Sequence, residues 1–328
     1  MLPPRLHLPM RQRRPLKLFA GNGNPVLAQR IAAELGISLG NLMVHRFSDG
    51  EVRVECHETV RGCDVFVIQS LCPPIHDNLM ELLILLDALR RASAARLTVV
   101  MPYYAYSRQE KKNSPRDPVP AKLVADMLST AGANRIITMD LHAEAITGFF
   151  HIPVDDLSAL SLLVRHFARL REENLVVVAP DAGAVRLARA VARKLEVPLA
   201  VAYARTGRTE NPAHIRFAGD VEGLKPLIVE DMIVTGKRVE SCVRALIRQG
   251  CIPEVRVAAT HGVLAGDAVR RVMQPEVVEL AITDTIPQQH QHPRVTVIPT
   301  AHLFAEAIRR IYLDRTLDTI VLPQTVRD

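Results

Sequence analysis

Short apolar runs rich in β-branched residues alternate along the chain with stretches whose apolar residues recur at helical spacing. Eight of these runs predict buried strands. They are LKLFA (16–20), DVFVIQS (64–70), RLTVVMP (96–102), RIITMD (135–140), LVVVAP (175–180), LIVED (227–231), VRVAATH (255–261) and VTVIP (295–299). Continuous apolar strands separated by helices are typical of parallel sheets covered on both faces. The pattern therefore predicts an α/β fold.

The helical stretches between these strands have recognisable faces and ends. NLMELLILLDALRRA (78–92) has one broad apolar face and a basic end. PAKLVADMLSTAG (120–132) begins with proline and ends at glycine, an asymmetry typical of helices. The order of strands and helices occurs once in residues 16–150 and again in 155–300. This repetition predicts two similar α/β domains.

We place the domain boundary near HIPVDDLSAL (151–160), which gives an N-terminal domain of 16–154 and a C-terminal domain of 155–328. No low-complexity linker separates the halves, so we expect them to pack closely. In open α/β sheets, ligands bind at the carboxyl ends of the strands. Those ends are predicted near residues 140–142, 180–183 and 230–238.

Composition narrows the class of protein. With 328 residues, 48% of them hydrophobic, the chain has enough apolar material for two buried cores. The net charge of +6 comes mostly from residues 1–17. The rest of the chain is close to neutral, so charge does not indicate a nucleic-acid surface. Residues 1–15 are basic and rich in proline, which predicts a disordered arm. Partner binding or targeting by this arm is the alternative.

Two further features of the sequence bear on where in the cell the protein is located. No run of 18 or more apolar residues occurs, so we expect no membrane span. The five cysteines are scattered and never stand in CxxC spacing; they are Cys56, Cys63, Cys72, Cys242 and Cys251. They predict reduced thiols in a cytoplasmic protein, not a disulfide framework or a zinc site.

Two segments of the first half carry candidate chemistry for a nucleotide. RFSDGE (46–51) offers carboxylates that can accept hydrogen bonds from an amino group, and Phe47 can stack on a ring. A solvated hairpin is the alternative. MPYYAYSRQEKKNSPRDP (101–118) places three tyrosines among basic residues, which fits stacking and phosphate contacts by Arg108. A solvated basic loop is equally compatible with this segment.

Three segments at predicted strand ends carry acidic residues. In ITMDLHAEAITGFF (137–150), His142 lies between acidic neighbours and is either a Mg²⁺ or polyphosphate contact or a structural histidine. In VVVAPDAGAVRLAR (176–189), Asp181 and a small-residue turn open a helix, which favours an anion and a water-bridged metal ion. LIVEDMIVTGKRVES (227–241) has the outline of a sugar-phosphate site: a strand, two carboxylates, a Thr-Gly turn and a helix.

These segments occur together and in order with KLFAGN (17–22), and with them the chain resembles the ribose-phosphate diphosphokinases, or phosphoribosyl pyrophosphate synthetases. The likeness extends from Lys17 to about Arg310. It implies two type I phosphoribosyltransferase-like domains. The implied reaction transfers the β,γ-diphosphate of ATP to the C1 hydroxyl of ribose 5-phosphate, with Mg²⁺ as the cofactor and AMP as co-product. A homo-oligomer, a hexamer in this family, is also implied, with an adenine-contacting loop that reaches a neighbouring subunit.

The resemblance assigns roles to residues by their positions. ATP-binding residues are Phe47, Asp49, Glu51, Arg108, Gln109 and His142. Ribose 5-phosphate-binding residues are Asp231, Thr235, Gly236, Lys237 and Arg238. His142 and Asp181 match metal positions, and Arg205 and Arg208 are the candidate catalytic residues.

The departures from the family pattern are concentrated on the acceptor side. The family's acceptor loop reads Asp-Asp-Met-x-Asp-Thr-Gly-Gly-Thr, whereas residues 230–238 read Glu-Asp-Met-Ile-Val-Thr-Gly-Lys-Arg. Val234 has no hydrogen-bond acceptor for a sugar hydroxyl, and Lys237 replaces a glycine of the phosphate cradle. The family's catalytic Lys-Arg-Arg aligns with residues 204–206, which read Ala-Arg-Thr. Removing one well-placed transition-state donor typically costs about 10²- to 10³-fold in rate.

Three hypotheses therefore remain open from the sequence. In the first hypothesis, the chain is a diphosphokinase in which lysine and arginine side chains bind the phosphate by charge. Alternatively, it is a catalytically weak, nucleotide-binding paralogue that serves as a regulatory or structural subunit in a hetero-oligomer with an active synthetase. The third hypothesis is a diphosphotransferase for a less hydroxylated acceptor.

Overall fold

The protein is described by a computed structural model that covers residues 13–170, 173–204, 212–289 and 292–318. Strands and helices alternate along most of these residues, as the apolar pattern predicts. The strands are β1 (Leu16–Ala20), β2 (Leu42–Arg46), β3 (Val52–Cys56), β4 (Asp64–Ile68), β5 (Arg96–Val100), β6 (Arg135–Met139), β7 (Val154–Leu157), β8 (Leu175–Ala179), β9 (Leu199–Ala204), β10 (Ile215–Ala218), β11 (Lys225–Ile233), β12 (Val255–Gly262), β13 (Val277–Thr283) and β14 (Val295–Ile298). The α-helices are α1 (Pro25–Leu35), α2 (Ile75–Arg91), α3 (Pro120–Ala131), α4 (Leu160–Ala168), α5 (Val185–Leu195), α6 (Lys237–Arg248), α7 (Ala268–Val272) and α8 (Ala301–Tyr312). As exceptions to the alternation, β2, β3 and β4 follow one another directly, as do β13 and β14.

The strands form two large sheets and one small hairpin. The first sheet is parallel throughout and has the order β1-β4-β5-β6-β7. The second sheet has the order β10-β9-β8-β11-β12-β13-β14, and β10 pairs with β9 in the antiparallel direction. β2 and β3 pair with each other as a separate antiparallel hairpin. Two mainly parallel sheets with flanking helices confirm the predicted fold class.

Each sheet is covered on both faces, and β4 shows why its sequence is continuously apolar. Phe66 and Ile68 pack into a cluster that also contains residues of α1, α4, α5 and α8. Val65 and Val67 point the other way and pack with residues of α2 and α3. Successive side chains of a strand alternate between its faces, so a strand that is buried throughout needs a layer on each side.

The helices α1, α4, α5 and α8 form a layer that is common to both sheets. Their apolar residues share one cluster with Leu18 and Phe66 of the first sheet and with Val177 and Val229 of the second. The opposite face of the second sheet packs against α6 and α7. One shared core therefore joins the halves, which agrees with the close packing expected from the missing linker.

Asn24 links the start of α1 to the second sheet. Its Oδ1 accepts a hydrogen bond from the N–H of Leu27 (3.2 Å), and its Nδ2 donates to the carbonyl oxygen of Asp284 (2.8 Å). Arg30 of α1 adds an ion pair with the Asp284 carboxylate (3.2 Å). Because Asn24 is only 4% exposed, these polar groups depend on each other for hydrogen bonds.

The sequence pattern located strands more accurately than it located their ends. The strand predicted for 227–231 is β11, which extends two residues further in each direction. The helix predicted for 78–92 is α2, which begins at Ile75 and ends at Arg91. The predicted domain boundary after residue 154 falls within β7, a strand of the first sheet. The division into 16–154 and 155–328 itself stays a prediction.

Only residues 13–15 of the predicted basic arm belong to the described part of the chain. Of the predicted basic arm, residues 1–12 lie outside the described residues. Pro15, at the end of this arm, already belongs to the fold, since its carbonyl oxygen accepts a hydrogen bond from the N–H of Asp64 (2.9 Å). Within the described part of the chain, every helix is too short or too polar to span a membrane.

Candidate functional site

The carboxyl ends of strands from both sheets meet at one place. At the end of β12, Thr260 donates a hydrogen bond to Asp140, which follows β6 (2.6 Å). His261 Nε2 lies 2.9 Å from the carbonyl oxygen of Met139, and its Nδ1 lies 2.9 Å from the hydroxyl of Thr285. Burial lowers the pKa of His261, so a neutral ring that donates from Nε2 and accepts at Nδ1 fits both contacts. These contacts fix β6 against β12.

A cavity of about 170 Å³ opens beside this joint. Its walls come from both halves of the chain. The lining residues are Arg108, His142, Glu230, Asp231, Met232, Ile233, Val234, Thr235, Gly236, Lys237, Arg238 and Val239. The structure therefore brings together all five residues predicted for ribose 5-phosphate and two of the six predicted for ATP.

The two acidic residues of β11, Glu230 and Asp231, lie in different environments. Glu230 and Asp231 are consecutive strand residues, so their side chains point to opposite faces. Asp231 Oδ2 lies 2.6 Å from His142 Nδ1. Glu230 is 2% exposed, and its Oε1 lies 3.6 Å from Arg238 Nη1. Burial raises the pKa of Glu230 to about 8, although Arg238 opposes the increase.

The contact between His142 and Asp231 crosses from the first sheet to the second. His142 follows β6, whereas Asp231 belongs to β11. The hydrogen bond with Asp231 raises the pKa of His142, and partial burial opposes the rise. This pair positions an imidazole and a carboxylate side by side at the wall of the cavity.

The turn before α6 requires glycine for two reasons. Gly236 has a φ of 73°, a left-handed conformation that strains other residues. A Cβ at this position would also lie 2.9 Å from Val272 Cγ2 and 3.0 Å from the carbonyl oxygen of Ala268. The turn brings the first N–H groups of α6 to the cavity, next to the exposed residues Thr235 and Lys237. Unpaired N–H groups and the helix dipole make such an end suitable for an anion.

Arg238 connects α6 to the end of β8. Its Nη1 lies 2.7 Å from Asp181 Oδ2. The other carboxylate oxygen of Asp181, Oδ1, accepts a hydrogen bond from the N–H of Ala184 at the start of α5 (3.1 Å). Both oxygens of Asp181 are therefore engaged by the protein. The spacing of these residues along the chain does not indicate this ion pair, and Glu230 was not among the predicted site residues either.

His142 and Asp181 do not form a ready site for a resident metal ion. His142 is bonded to Asp231, and Asp181 is paired with Arg238. Across the described ranges, no three His, Cys, Asp or Glu side chains are grouped so that they could hold a metal ion. A magnesium ion that enters on a nucleotide needs only one or two protein carboxylates besides the phosphates. The metal roles of His142 and Asp181 stay predictions.

The other predicted residues that the structure describes do not line the cavity. Phe47 (45% exposed), Asp49 and Glu51 stand at the tip of the β2–β3 hairpin, where Asp49 accepts a hydrogen bond from the N–H of Glu51 (3.1 Å). Gln109 is exposed beside Arg108 in the loop after β5. Arg205 and Arg208, the candidate catalytic residues, lie outside the described residues.

Two protein-family models match the chain, one in each half. Residues 16–132 match the N-terminal domain of ribose phosphate pyrophosphokinase, and residues 157–292 match the phosphoribosyl transferase domain. The chain belongs to the ribose-phosphate pyrophosphokinase family. Membership confirms the resemblance carried by the sequence motifs.

Members of the ribose-phosphate pyrophosphokinase family match nearly the whole chain. The ribose-phosphate pyrophosphokinase of Clostridium acetobutylicum is 44% identical over 309 residues, which cover 93% of this chain and 97% of that protein. The corresponding protein of Caldanaerobacter subterraneus is 46% identical over 300 residues, 90% of this chain and 95% of its own length. The crystal structure of phosphoribosylpyrophosphate synthetase from Mycobacterium smegmatis superposes with a TM-score of 0.85 at 41% identity, covering 92% of this chain and all of that chain.

Proposed function

We propose that this chain is a ribose-phosphate diphosphokinase that converts Mg-ATP and ribose 5-phosphate to phosphoribosyl pyrophosphate and AMP. The observation that carries the proposal is the cavity at the start of α6. There, Thr235, Gly236 and Lys237 surround an open helix end, and Asp231 lies on the same wall. A sugar phosphate needs both parts, a cationic helix end for the phosphate and an acceptor for a hydroxyl.

The phosphate of ribose 5-phosphate is assigned to the start of α6. Lys237 stands where the family has glycine, and its exposed ammonium group is available to the phosphate. An ammonium group supplies charge without the close backbone approach that glycine permits. Lys237 therefore compensates for part of the backbone cradle that it displaces.

The sugar hydroxyls are assigned to Asp231. The family's third aspartate in this loop is Val234 here, and Val234 packs against apolar residues of the first half. One carboxylate acceptor is thus left for the ring, and His142 holds it in place (2.6 Å). The proposal therefore predicts weaker binding of the acceptor than a loop with two aspartates would give.

Mg-ATP is assigned to the side of the cavity formed by the first half. Arg108 and His142 line this wall, with Gln109 next to Arg108, and the adenine ring is assigned to Phe47, Asp49 and Glu51 of a neighbouring subunit. The C1 hydroxyl oxygen attacks the β-phosphorus and releases its proton to solvent, the bond to the α,β-bridging oxygen breaks, and AMP leaves. Phosphoryl transfer depends mostly on positioning and on cations that stabilise developing charge, as Arg108 can.

A catalytically weak regulatory subunit is the less favoured alternative. The relatives that match over nearly their full length are named as the enzyme, and the cavity retains features of an acceptor site, namely Thr235, Gly236 and the open end of α6. The departures at Val234, Lys237 and Arg238 are the reason to test activity directly. We also propose a homo-oligomer, with a hexamer as the family precedent, and a cytoplasmic location, which suits five free cysteines.

The proposal is tested by incubating the purified full chain with Mg-ATP and ribose 5-phosphate and measuring AMP and phosphoribosyl pyrophosphate. Equal amounts of both products, dependent on ribose 5-phosphate, are expected. A control without the sugar detects simple ATP hydrolysis. A parallel reaction with 2-deoxyribose 5-phosphate tests the less hydroxylated acceptor, which is supported if that sugar reacts faster.

A variant that restores the family pattern supplies the second comparison. Val234→Asp, Lys237→Gly, Arg238→Thr and Ala204→Lys are combined in one chain. If the natural chain forms no AMP but still binds ATP, and the restored variant turns over, then the natural chain is a regulatory subunit and the proposal fails.

A further inference from the structure

Arg238 stands at a point where acidic groups from two strands converge. Asp181 follows β8 and Glu230 lies in the neighbouring β11. The same guanidinium nitrogen, Nη1, lies 2.7 Å from Asp181 Oδ2 and 3.6 Å from Glu230 Oε1. A single positive group therefore serves both carboxyl groups.

This position is the one that a divalent cation would take. Hard cations such as Mg²⁺ bind carboxylate oxygens at about 2.0–2.1 Å and need clear space around them. Asp181 Oδ2 is in contact with the guanidinium, and Oδ1 is bonded to the N–H of Ala184. A cation can reach Asp181 Oδ2 only if Arg238 moves away.

We propose that Arg238 is a tethered cation that takes the place of a divalent metal ion at Asp181 in the substrate-free protein. The role rests on the proposed function, because it means that Mg²⁺ enters this site only as part of Mg-ATP. The protein thereby avoids holding a metal ion at the acidic strand ends when no nucleotide is bound.

The surroundings of Arg238 explain why its removal should create affinity for a metal ion. Glu230 has a nearly inaccessible side chain (3% exposed), and Asp181 is only 25% exposed. Without Arg238, Asp181 and Glu230 lose the guanidinium that they share. The Asp181 carboxylate, which is only partly exposed, then gains from any cation that can replace the lost charge.

Mn²⁺ alone is the probe that tests the inference, because free Mn²⁺ is counted directly by electron paramagnetic resonance. The nucleotide-free full chain is titrated beside Arg238→Thr and Arg238→Gln. Each variant is expected to bind one additional Mn²⁺ per chain, at least about tenfold more tightly than the natural protein binds at this position, since the number of ligand charges tunes cation affinity over orders of magnitude. Two substitutions of different size guard against a single variant that fails to fold.

Three further variants locate the ion and isolate the effect of charge. Arg238→Lys keeps a positive charge and is expected to bind as the natural chain does. Arg244→Gln breaks an exposed pair with Glu240 on the same helix (2.6 Å), away from the cavity, and should change nothing. Combining Asp181→Asn with Arg238→Thr should abolish the additional ion.

Two results overturn the inference. One is a natural chain that already binds an ion lost in Asp181→Asn, because the guanidinium would then not replace the metal. The other is an Arg238→Thr variant with no additional ion, or with one that survives Asp181→Asn. Neither result depends on turnover. A failure of this inference is thus distinct from a failure of the proposed reaction, which is measured by AMP formation.

Discussion

Asp156 of β7 is a carboxyl group whose surroundings disfavour its charge. Burial and the nearby Asp140 raise its pKa from an ordinary value of 3.8 to about 8. The carboxyl group accepts a hydrogen bond from the N–H of Leu141 (3.2 Å), which only partly offsets the rise. The folded protein therefore keeps this proton up to about pH 8, whereas the unfolded chain releases it at about pH 4. Between these values the unfolded state binds fewer protons, so this group lowers stability as the pH rises.

Asp156→Asn is expected to remove this loss of stability. The amide keeps a hydrogen-bond acceptor and does not titrate. Relative to the natural chain, the variant should therefore gain stability from about pH 5 to about pH 8, by at most about 1.4 kcal/mol per pH unit. Urea unfolding across this range measures the difference. Asp155→Asn is the matched control, because it breaks the ion pair with Arg135 (2.5 Å) and should lose stability instead. A difference between Asp156→Asn and the natural chain that does not change with pH contradicts the expectation.

The sequence predicted which residues belong to the site better than it predicted their contacts. Asp231, Thr235 and Gly236 were predicted from one segment, and that segment forms the cavity. Arg238 was predicted as a phosphate ligand, yet its guanidinium pairs with Asp181 (2.7 Å). The two residues are distant in the chain and come together only because β8 and β11 are neighbours in the sheet. Spacing within a segment cannot supply that adjacency.

The β2–β3 hairpin carries three of the predicted substrate residues at an exposed tip. Phe47 is 45% exposed at its tip, and the Arg53 guanidinium lies 5.6 Å from the centre of its ring. Arg46, next to the turn, forms an exposed ion pair with Asp77 of α2 (3.5 Å). The turn beyond Arg46 is exposed, which suits contact with a ligand held by another chain.

Phe47→Ala is expected to weaken the binding of Mg-ATP by about threefold to tenfold, the loss that corresponds to one aromatic stacking contact. Thermal stability should change little, because the ring is exposed. Isothermal titration calorimetry with ATP measures the affinity. Val26→Ala, which trims an exposed side chain of α1 (54%), is the control and should leave ATP binding unchanged. Equal ATP affinity in all three proteins means that the hairpin does not contact adenine.

The end of β11 shows why the sequence does not predict the boundaries of strands accurately. The predicted strand ends with Glu230 and Asp231, since charged residues are rarely buried. The strand nevertheless continues to Ile233, because Arg238 and His142 supply partners for its two acidic side chains. His142 is 89 residues away in the chain, so the sequence around β11 does not show that Asp231 has this partner.

The stability of the protein depends on contacts that cross between its two halves. The helices of the shared layer bury apolar residues of both sheets in one cluster. Ser70, after β4, donates a hydrogen bond to the carbonyl oxygen of Thr285 after β13 (2.7 Å), and Asn24 makes the comparable contact with Asp284. We expect the two halves to unfold as one cooperative unit.

Asn24→Ala is expected to lower the free energy of unfolding by roughly 1–3 kcal/mol, because it removes a helix cap and leaves a buried carbonyl group unpaired. Asn24→Ser separates these effects. Serine keeps an acceptor for the N–H of Leu27 but does not reach the carbonyl oxygen of Asp284, so an intermediate loss is expected. Urea unfolding of the three proteins measures both steps. If Asn24→Ser is as stable as the natural chain, the hydrogen bond between the halves contributes nothing.

The hydrogen bond between His142 and Asp231 has a consequence for inheritance. Each half of the gene encodes only one partner of this pair, so neither half specifies the cavity wall alone. A substitution at one position changes which residues natural selection tolerates at the other. Recombination that exchanged one half between diverged relatives would therefore succeed only where the incoming histidine or carboxylate found its counterpart, and the two halves are expected to descend together.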